Sequence, residues 1–309
     1  MKKTNTTVRK ILVIGSSNTD MVINSPRLPM PGETILGGSF FMNPGGKGAN
    51  QAVAAARLGA DVTFICKVGN DIFGQQSRQL FEKEKIDTKH LLSDPLLPSG
   101  IALITVDAHA ENCIVVASGA NANLLPADFA DTIDIIEQAD MLLIQLEIPM
   151  ETVEYVAAIA AQKGIPVILN PAPAHALSKS LLQNLFLITP NETEAELISG
   201  VKITDDDSAT AAAKTLCEMG VKNVIITQGS KGAFIYSEHQ AVHIPSLKIQ
   251  AVDTTAAGDV FNGALAVALS EGLSLSEATR FACKAAAISA TRPGAQSSAP
   301  YRHEADAVN

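Results

Sequence analysis

The chain has 309 residues, 47% of them hydrophobic and 18% charged, which is ample for a buried core and rules out disorder as the dominant state. A net charge of −9 gives no footprint for nucleic acid or anionic lipid, and with aromatics at 4% and no Trp there is no base-stacking surface. No apolar run approaches membrane-spanning length, so no membrane association is expected; the run Ile11 to Ile14 behind Lys2, Lys3, Arg9 and Lys10 is too short for a signal peptide and leaves the start as a loose tail.

The first strand is Ile11-Leu-Val-Ile-Gly15, turning at Gly15. From Met21 to Phe41, Pro26, Pro29 and Pro31 and several glycines leave only short β-like pieces. Proline removes ladder donors, so this stretch reads as a small sheet standing off the main body. A second such region runs from about Ser99 to Ala117, a hairpin of Ile101–Val106 and Cys113–Val116 around Asp107 to Asn112. Elsewhere helices and strands alternate. Helices are expected over Asn50–Leu58, Phe73–Glu84, Thr152–Gln162, Glu192–Ile198, Ser208–Glu218, Gly258–Ser270 and Ser276–Ala290. Strands are expected over Val62–Cys66, Met141–Gln145, Val167–Leu169, Phe186–Ile188 and Val224–Thr227, then a hairpin of Phe234–Tyr236 and Ala241–Ile244. This alternation implies a doubly wound, mostly parallel α/β sheet with helices on both faces. One domain over 1–309 is expected, with a small β appendage from about 17–45 and 99–118.

Most phosphate and catalytic patterns fail. A Walker loop needs Ser or Thr after Gly46-Lys47, but Gly48 follows; no GxGxxG follows a strand, and GxSxG and HExxH are absent. His239 and His243 lie four apart in a β-like segment without a third ligand, and read as surface residues. Cys66, Cys113, Cys217 and Cys283 have no metal-like spacing, which fits a reduced, cytoplasmic protein.

The strongest segment is Asp253-Thr-Thr-Ala-Ala-Gly-Asp-Val-Phe-Asn-Gly263, small residues running straight into an apolar helix. Free N–H groups at such a helix start favour an anion, and Asp259 beside them is placed either to take a proton from an attacking hydroxyl or merely to complement the helix N-terminus. In Asn43-Pro-Gly-Gly-Lys-Gly-Ala-Asn-Gln-Ala-Val53, three glycines and Lys47 are expected to precede a helix, and Asn50 can donate and accept as a polyol requires; the plain alternative is a capping turn. Asn18, Asp20 and Glu147 follow strands, where open α/β sheets bind ligands. Thr189-Pro-Asn-Glu-Thr-Glu194 enters a helix, so its acids either complement the dipole or hold a metal-bound water. Thr227-Gln-Gly-Ser-Lys-Gly232 alone reads as an ordinary hairpin turn.

In order, Gly15-Ser-Ser-Asn-Thr-Asp20, Gly45-Gly-Lys-Gly-Ala-Asn50, Asn191-Glu-Thr-Glu194, Thr227–Gly232 and Asp253–Asp259 resemble the ribokinase family of carbohydrate kinases over nearly the whole chain. The resemblance implies a lidded α/β fold, transfer of the ATP γ-phosphoryl group to the primary 5-hydroxyl of a small sugar, with D-ribose expected from the residues of the two signature segments, and a homodimer formed through the β lid. It implies that Asn18, Thr19, Asp20, Gly46, Lys47, Gly48, Ala49, Asn50, Glu147 and Asp259 hold the sugar, with Asp259 the base. It assigns ATP to Asn191, Thr227, Gln228, Gly229, Ser230, Lys231, Gly232, Gly258, Asp259 and Cys283, the last near the adenine where the family often carries His or Asn. Mg²⁺ would lie a water away from Glu194, and activating K⁺ at Asp253, Thr255, Ser289, Arg292, Gly294 and Ser298. Rival readings are a relative acting on fructose, deoxyribose, a nucleoside or a sugar phosphate, and a sugar-binding regulator without turnover. After Tyr301-Arg-His303 a final helix is expected to be short or absent.

Overall fold

Strand β1 (Lys10–Ile14) runs through the middle of the molecule, and Ile11 to Ile14 are all essentially buried. A strand covered on both faces needs a continuous apolar run, which is what this segment supplies. The computed structural model describes residues 8–109 and 111–308, so the expected tail around Lys2 and Lys3 lies outside them. The other strands are β2 (Asn18–Asn24), β3 (Phe40–Gly45), β4 (Asp61–Gly69), β5 (Leu91–Asp94), β6 (Gly100–Val106) and β7 (Asn112–Ala117). They continue with β8 (Met141–Ile144), β9 (Val167–Leu169), β10 (Leu187–Ile188), β11 (Asn223–Thr227), β12 (Gly232–Ser237) and β13 (Gln240–Pro245).

Nine strands form the main sheet in the order β13-β12-β11-β10-β9-β8-β1-β4-β5, parallel except that β12 pairs antiparallel with both β11 and β13. Side-chain alternation splits β1 between two cores: Ile11 and Val13 face one cluster, Leu12 and Ile14 the other. The first core is covered by the helices Lys47–Arg57, Ala257–Ser270 and Leu275–Ser289, the second by Met150–Gln162 and Asp206–Glu218. Within the first, a Cβ on Gly263 would stand 2.7 Å from the Gln51 carbonyl oxygen and 2.8 Å from the Ala54 Cβ. Only glycine lets these two helices come so close, and their contact sets the residues around Asn50 beside those around Asp259.

The small sheet has four strands in the order β3-β2-β6-β7. It is joined through its centre, where β2 runs parallel to β6 with Asn18 opposite Gly100 and Asp20 opposite Ala102. The proline-broken stretch thus gives one antiparallel pair, β2 with β3, and residues 25–39 form no strand.

The structure corrects several expected boundaries. The helix expected from Asn50 begins at Lys47, so Lys47 and Gly48 belong to its first turn and do not precede it. Strand β5 and the short helices Ile133–Gln138 and Lys179–Gln183 were not read from the sequence, being too short to show a period. The last helix, Arg302–Ala307, is short as expected. Among the described residues no helix is long and apolar enough to cross a membrane.

Candidate active site

The ends of β1, β2 and β8 and the starts of the Lys47–Arg57 and Ala257–Ser270 helices bring together one cluster of polar side chains. After β1, the Ser16 hydroxyl donates to Glu147 Oε2 at 2.5 Å, and the Lys47 backbone N–H donates to the same oxygen at 3.0 Å. Glu147, past β8, therefore clamps the start of the Lys47–Arg57 helix, and the Ala49 N–H donates to the Ser16 carbonyl at 2.9 Å. Gly46 caps this helix at φ 89, and a Cβ there would lie 2.7 Å from the Asn18 nitrogen, so only glycine fits.

Asn18 is buried and its Oδ1 accepts from Asn121 Nδ2 at 2.8 Å. Asp20 shares its face of β2 with Asn18. Thr19, though buried, lies on the opposite face, so its side chain is not brought to Asp20, as the alternation of β2 dictates. Burial pushes the Asp20 carboxyl up to about 6, the charges of Glu147 and Asp259 add to the rise, and Lys47 opposes it. For Lys47, burial pulls the ammonium down, but Asp259, Glu147, Glu194 and Asp20 outweigh it and hold the charge on. One cation thus stands among four carboxylates drawn from distant parts of the chain.

Asp259 lies in the first turn of the Ala257–Ser270 helix and is buried. Its Oδ2 accepts from Asn50 Nδ2 at 2.9 Å and its Oδ1 from Gln51 Nε2 at 3.0 Å. Burial pushes its carboxyl up, against Lys47 and the two amide donors, while Glu147 adds to the rise. Asn50 Oδ1 is buried without a partner, an acceptor suited to a hydroxyl proton. The helix enters through Ala256 at φ 59, a left-handed conformation that costs a non-glycine residue about 1–2 kcal/mol. Next to Asp259, a Cβ on Gly258 would meet nothing within 4 Å, so the helix start borders open space there.

That space is a cavity of about 520 Å³, lined by Thr227, Gly229, Ser230 and Gly232 on one side and by Gly258 and Cys283 on the other. Gly229 and Gly232 take φ 56 and 112 around a short 3₁₀ turn at Gly229–Lys231. Gln228 and Lys231 do not line the cavity; both turn to Glu192, at 3.3 and 3.4 Å. Cys283 sits in an apolar wall with Phe261, Ala286 and Ala287, and burial pushes its thiol up to about 11, so it offers surface and no charge. Asn191 is the helix cap, its Oδ1 accepting from the Glu194 N–H at 2.8 Å, and it bridges to Thr227. Glu194 is also buried; burial pushes it up, the Asn191 N–H and Lys47 oppose this, and Asp259 adds to it. Its Oε2 accepts from the Asn191 N–H at 2.8 Å, so the carboxylate closes the capping box of its own helix.

At the other candidate cation position, Asp253 Oδ1 accepts from the Thr255 N–H at 2.9 Å and Oδ2 from the Gly294 N–H at 2.8 Å. Burial alone would push its carboxyl up, but these hydrogen bonds bring it below the ordinary carboxylate range. The Ser289 and Ser298 hydroxyls donate to the Ala286 and Ala295 carbonyls, and the Arg292 guanidinium is taken by Glu304. Among the described residues no cluster of three His, Cys, Asp or Glu side chains could hold a metal.

Sequence reasoning missed Ser16, Asn121, Gln145 and Asn170, and the wall Ser246–Ala251 of the large cavity. Position just past a strand was the available signal for Ser16, Gln145 and Asn170. The wall forms no helix or strand and gave none.

The model of the pfkB family of carbohydrate kinases matches residues 8–302. The chain belongs to that family. A ribokinase of Haemophilus influenzae is 48% identical over 96% of this chain and 97% of its own. A deoxyribokinase of Salmonella typhi is 38% identical over 94% of this chain and 95% of its own. Among solved structures, Arabidopsis thaliana ribokinase complexed with ribose and ATP superimposes with a TM-score of 0.92 at 31% identity, covering 97% of this chain and 98% of that one. Gly258 lines the large cavity, and the next residue, Asp259, is bonded to Asn50 and Gln51.

Proposed function

We propose that this chain is an ATP-dependent sugar kinase that phosphorylates the 5-hydroxyl of D-ribose, giving ribose 5-phosphate and ADP. The observation that carries the reading is the position of Asp259: a buried carboxylate held by Asn50 on the sugar side and adjoining the Gly258 amide on the cavity side. In this reading Asn18, Asp20, Lys47, Asn50 and Glu147 orient the sugar, and Asp259 accepts the proton of the attacking hydroxyl. The amides of Ala257 and Gly258 stabilise charge on the transferring group. Thr227, Gly229 and Ser230 border the nucleotide, and Asn191 contributes its free amide group.

Glu194 is the residue that would hold Mg²⁺ through water, and the ion arriving with ATP would supply charge neutralisation at the phosphates. K⁺ is assigned to the loop of Asp253, Thr255, Ser289, Arg292, Gly294 and Ser298, where it would fix the shape of the turn before Asp259. Activity already maximal in sodium- and potassium-free buffer would reject that site. The small sheet is read as a lid on a single kinase domain and, through its outer face, as the contact of a homodimer; the protein is read as cytoplasmic.

A second reading, 2-deoxyribose as the preferred acceptor, is favoured by the likeness to the deoxyribokinase of Salmonella typhi. ATP consumption measured over D-ribose, 2-deoxyribose, fructose and nucleosides separates the two. D-ribose is expected to give the highest kcat/KM; no turnover with any sugar would sink the kinase reading.

A further inference from the structure

We propose that Gln51 is a positioning residue for the reaction: a buried amide that fixes the orientation of the Asp259 carboxylate and is itself held by Gln145 and Asn170. This rests on the reading of Asp259 as the base.

Gln51 is fully buried, with every polar atom engaged. Its Nε2 donates to Asp259 Oδ1 and to Asn170 Oδ1, both at 3.0 Å, and its Oε1 accepts from Gln145 Nε2 at 2.6 Å. The polarity of this chain of amides is fixed at both ends. At one end the Thr189 carbonyl can only accept, so Asn170 must turn its Nδ2 there, at 3.2 Å, and present Oδ1 to Gln51. At the other end Asp259, ionised in the base reading, can only accept. Turning the Gln51 amide over would set its oxygen against two acceptors at once.

Three neighbouring strand ends supply the support: Gln145 follows β8, Asn170 follows β9 and Thr189 follows β10. The network then returns to the catalytic helix, because the Thr189 hydroxyl donates to Asn262 Oδ1 at 2.6 Å and Asn262 Nδ2 donates to the Gly258 carbonyl at 2.8 Å. A closed circuit of hydrogen bonds thus ties the side chain of Asp259 and the backbone of Gly258 to the rigid sheet. With Oδ1 locked from below, Oδ2 stays beside Asn50, on the side where the sugar is held.

The charged groups acting on Asp259 are Lys47 from the Lys47–Arg57 helix, Glu147 after β8, Asp20 from β2 and Glu194 from the Glu192–Ser199 helix. A carboxyl introduced at Gln51 would join them at hydrogen-bond distance, and two such carboxyls share a proton. The experiment compares kcat against pH for wild type, Gln51→Met, Gln51→Glu and Gln145→Met, with D-ribose and ATP saturating and folding checked by thermal melting. Loss of the donor in Gln51→Met should lower kcat roughly 10- to 100-fold with KM for both substrates changed less than about threefold. In Gln51→Glu the acid limb should move up by a pH unit or more, and Gln145→Met should move it the same way by less.

Folded Gln51 variants with the wild-type kcat and an unmoved acid limb would overturn the proposal. A fall in melting temperature with an unmoved limb would also overturn it, leaving Gln51 as packing. Should the Gln51 variants fail to fold, Gln145→Met decides alone by the same criterion. Wild-type enzyme that turns over no sugar would instead sink the kinase reading itself, so the two failures are distinguishable.

Discussion

The two sheets are built on opposite terms. In the nine-stranded sheet β8 is buried at every residue, and polar side chains at its carboxyl end are mutually bonded. In the four-stranded sheet β7 is exposed at every residue, though its sequence, Asn-Cys-Ile-Val-Val-Ala, is as apolar as that of a core strand. Cross-strand register puts Met42, Leu103 and Val115 in one row on the outer face, 48%, 51% and 67% exposed. The large sheet is thus complete in itself, whereas the small one carries an uncovered apolar surface and one functional carboxylate, Asp20, on the other side. Under the proposed function, chemistry belongs to the first, and substrate grip with self-association to the second.

The division is tested most severely by Asp259→Asn, which should fold normally and lose roughly 10²–10⁴-fold in kcat. A near-normal rate in the purified variant would return Asp259 to complementing the helix dipole. Next in size, Asp20→Ala should weaken sugar binding about ten- to a hundred-fold, since buried partners left unmated cost about 1–3 kcal/mol each. ATP affinity should hold; calorimetry showing equal losses for both ligands would mean that the small sheet is not a separate grip.

A smaller effect follows from pH. Asp20 rises from 3.8 to about 6 in the folded protein, so the carboxylate form is present above about pH 6 and is lost as pH falls through that value. Sugar affinity should therefore be full at pH 7 and decline below about 6, by up to tenfold per unit. In Asp20→Asn the decline should vanish; a decline that persists would assign it to another group. The same shift makes Asp20 a cost to folding as pH rises from 3.8 to about 6, because the folded state there holds a proton that the unfolded chain has released. Least of all, Leu103→Asp on the outer face should alter stability by no more than about 0.5 kcal/mol. It should nonetheless shift the protein from dimer to monomer in sedimentation, and a wild-type chain that already sediments as a monomer would leave that face without its assigned partner.

The main sheet was legible because buried parallel strands are continuous apolar runs, and Ile11–Ile14, Met141–Ile144 and Val167–Leu169 stand out without tertiary information. The Asp253–Gly263 segment was legible because few other parts of the chain put so many small residues before an apolar helix. Helix starts read less well: glycine in the first turn at Gly48 looked like loop, yet a side chain there would collide with Ser16, so packing overrode propensity. Gln51 lay inside a segment picked out for its glycines, but its role needed partners some hundred positions away, and no local pattern encodes that meeting. The parallel pairing of β2 with β6 was hidden in the same way, since Met21–Phe41 read as short β-like pieces and Ile101–Val106 as half of a hairpin with Cys113–Val116.

Under the proposed function, the nearness of Asp20 to Asp259 joins two pieces that carry separate loads. The residues assigned to take the proton and to stabilise the transferring phosphoryl group, Asp259 and Gly258, sit one after the other on a helix anchored to the sheet, so their spacing would not change when the small sheet changes. Exchange of side chains along β2 and β3 can then retune which hydroxyl pattern is accepted without disturbing the transfer step. A scaffold arranged this way allows acceptor preference to drift, by a few substitutions in one layer, while the engine beneath is inherited intact.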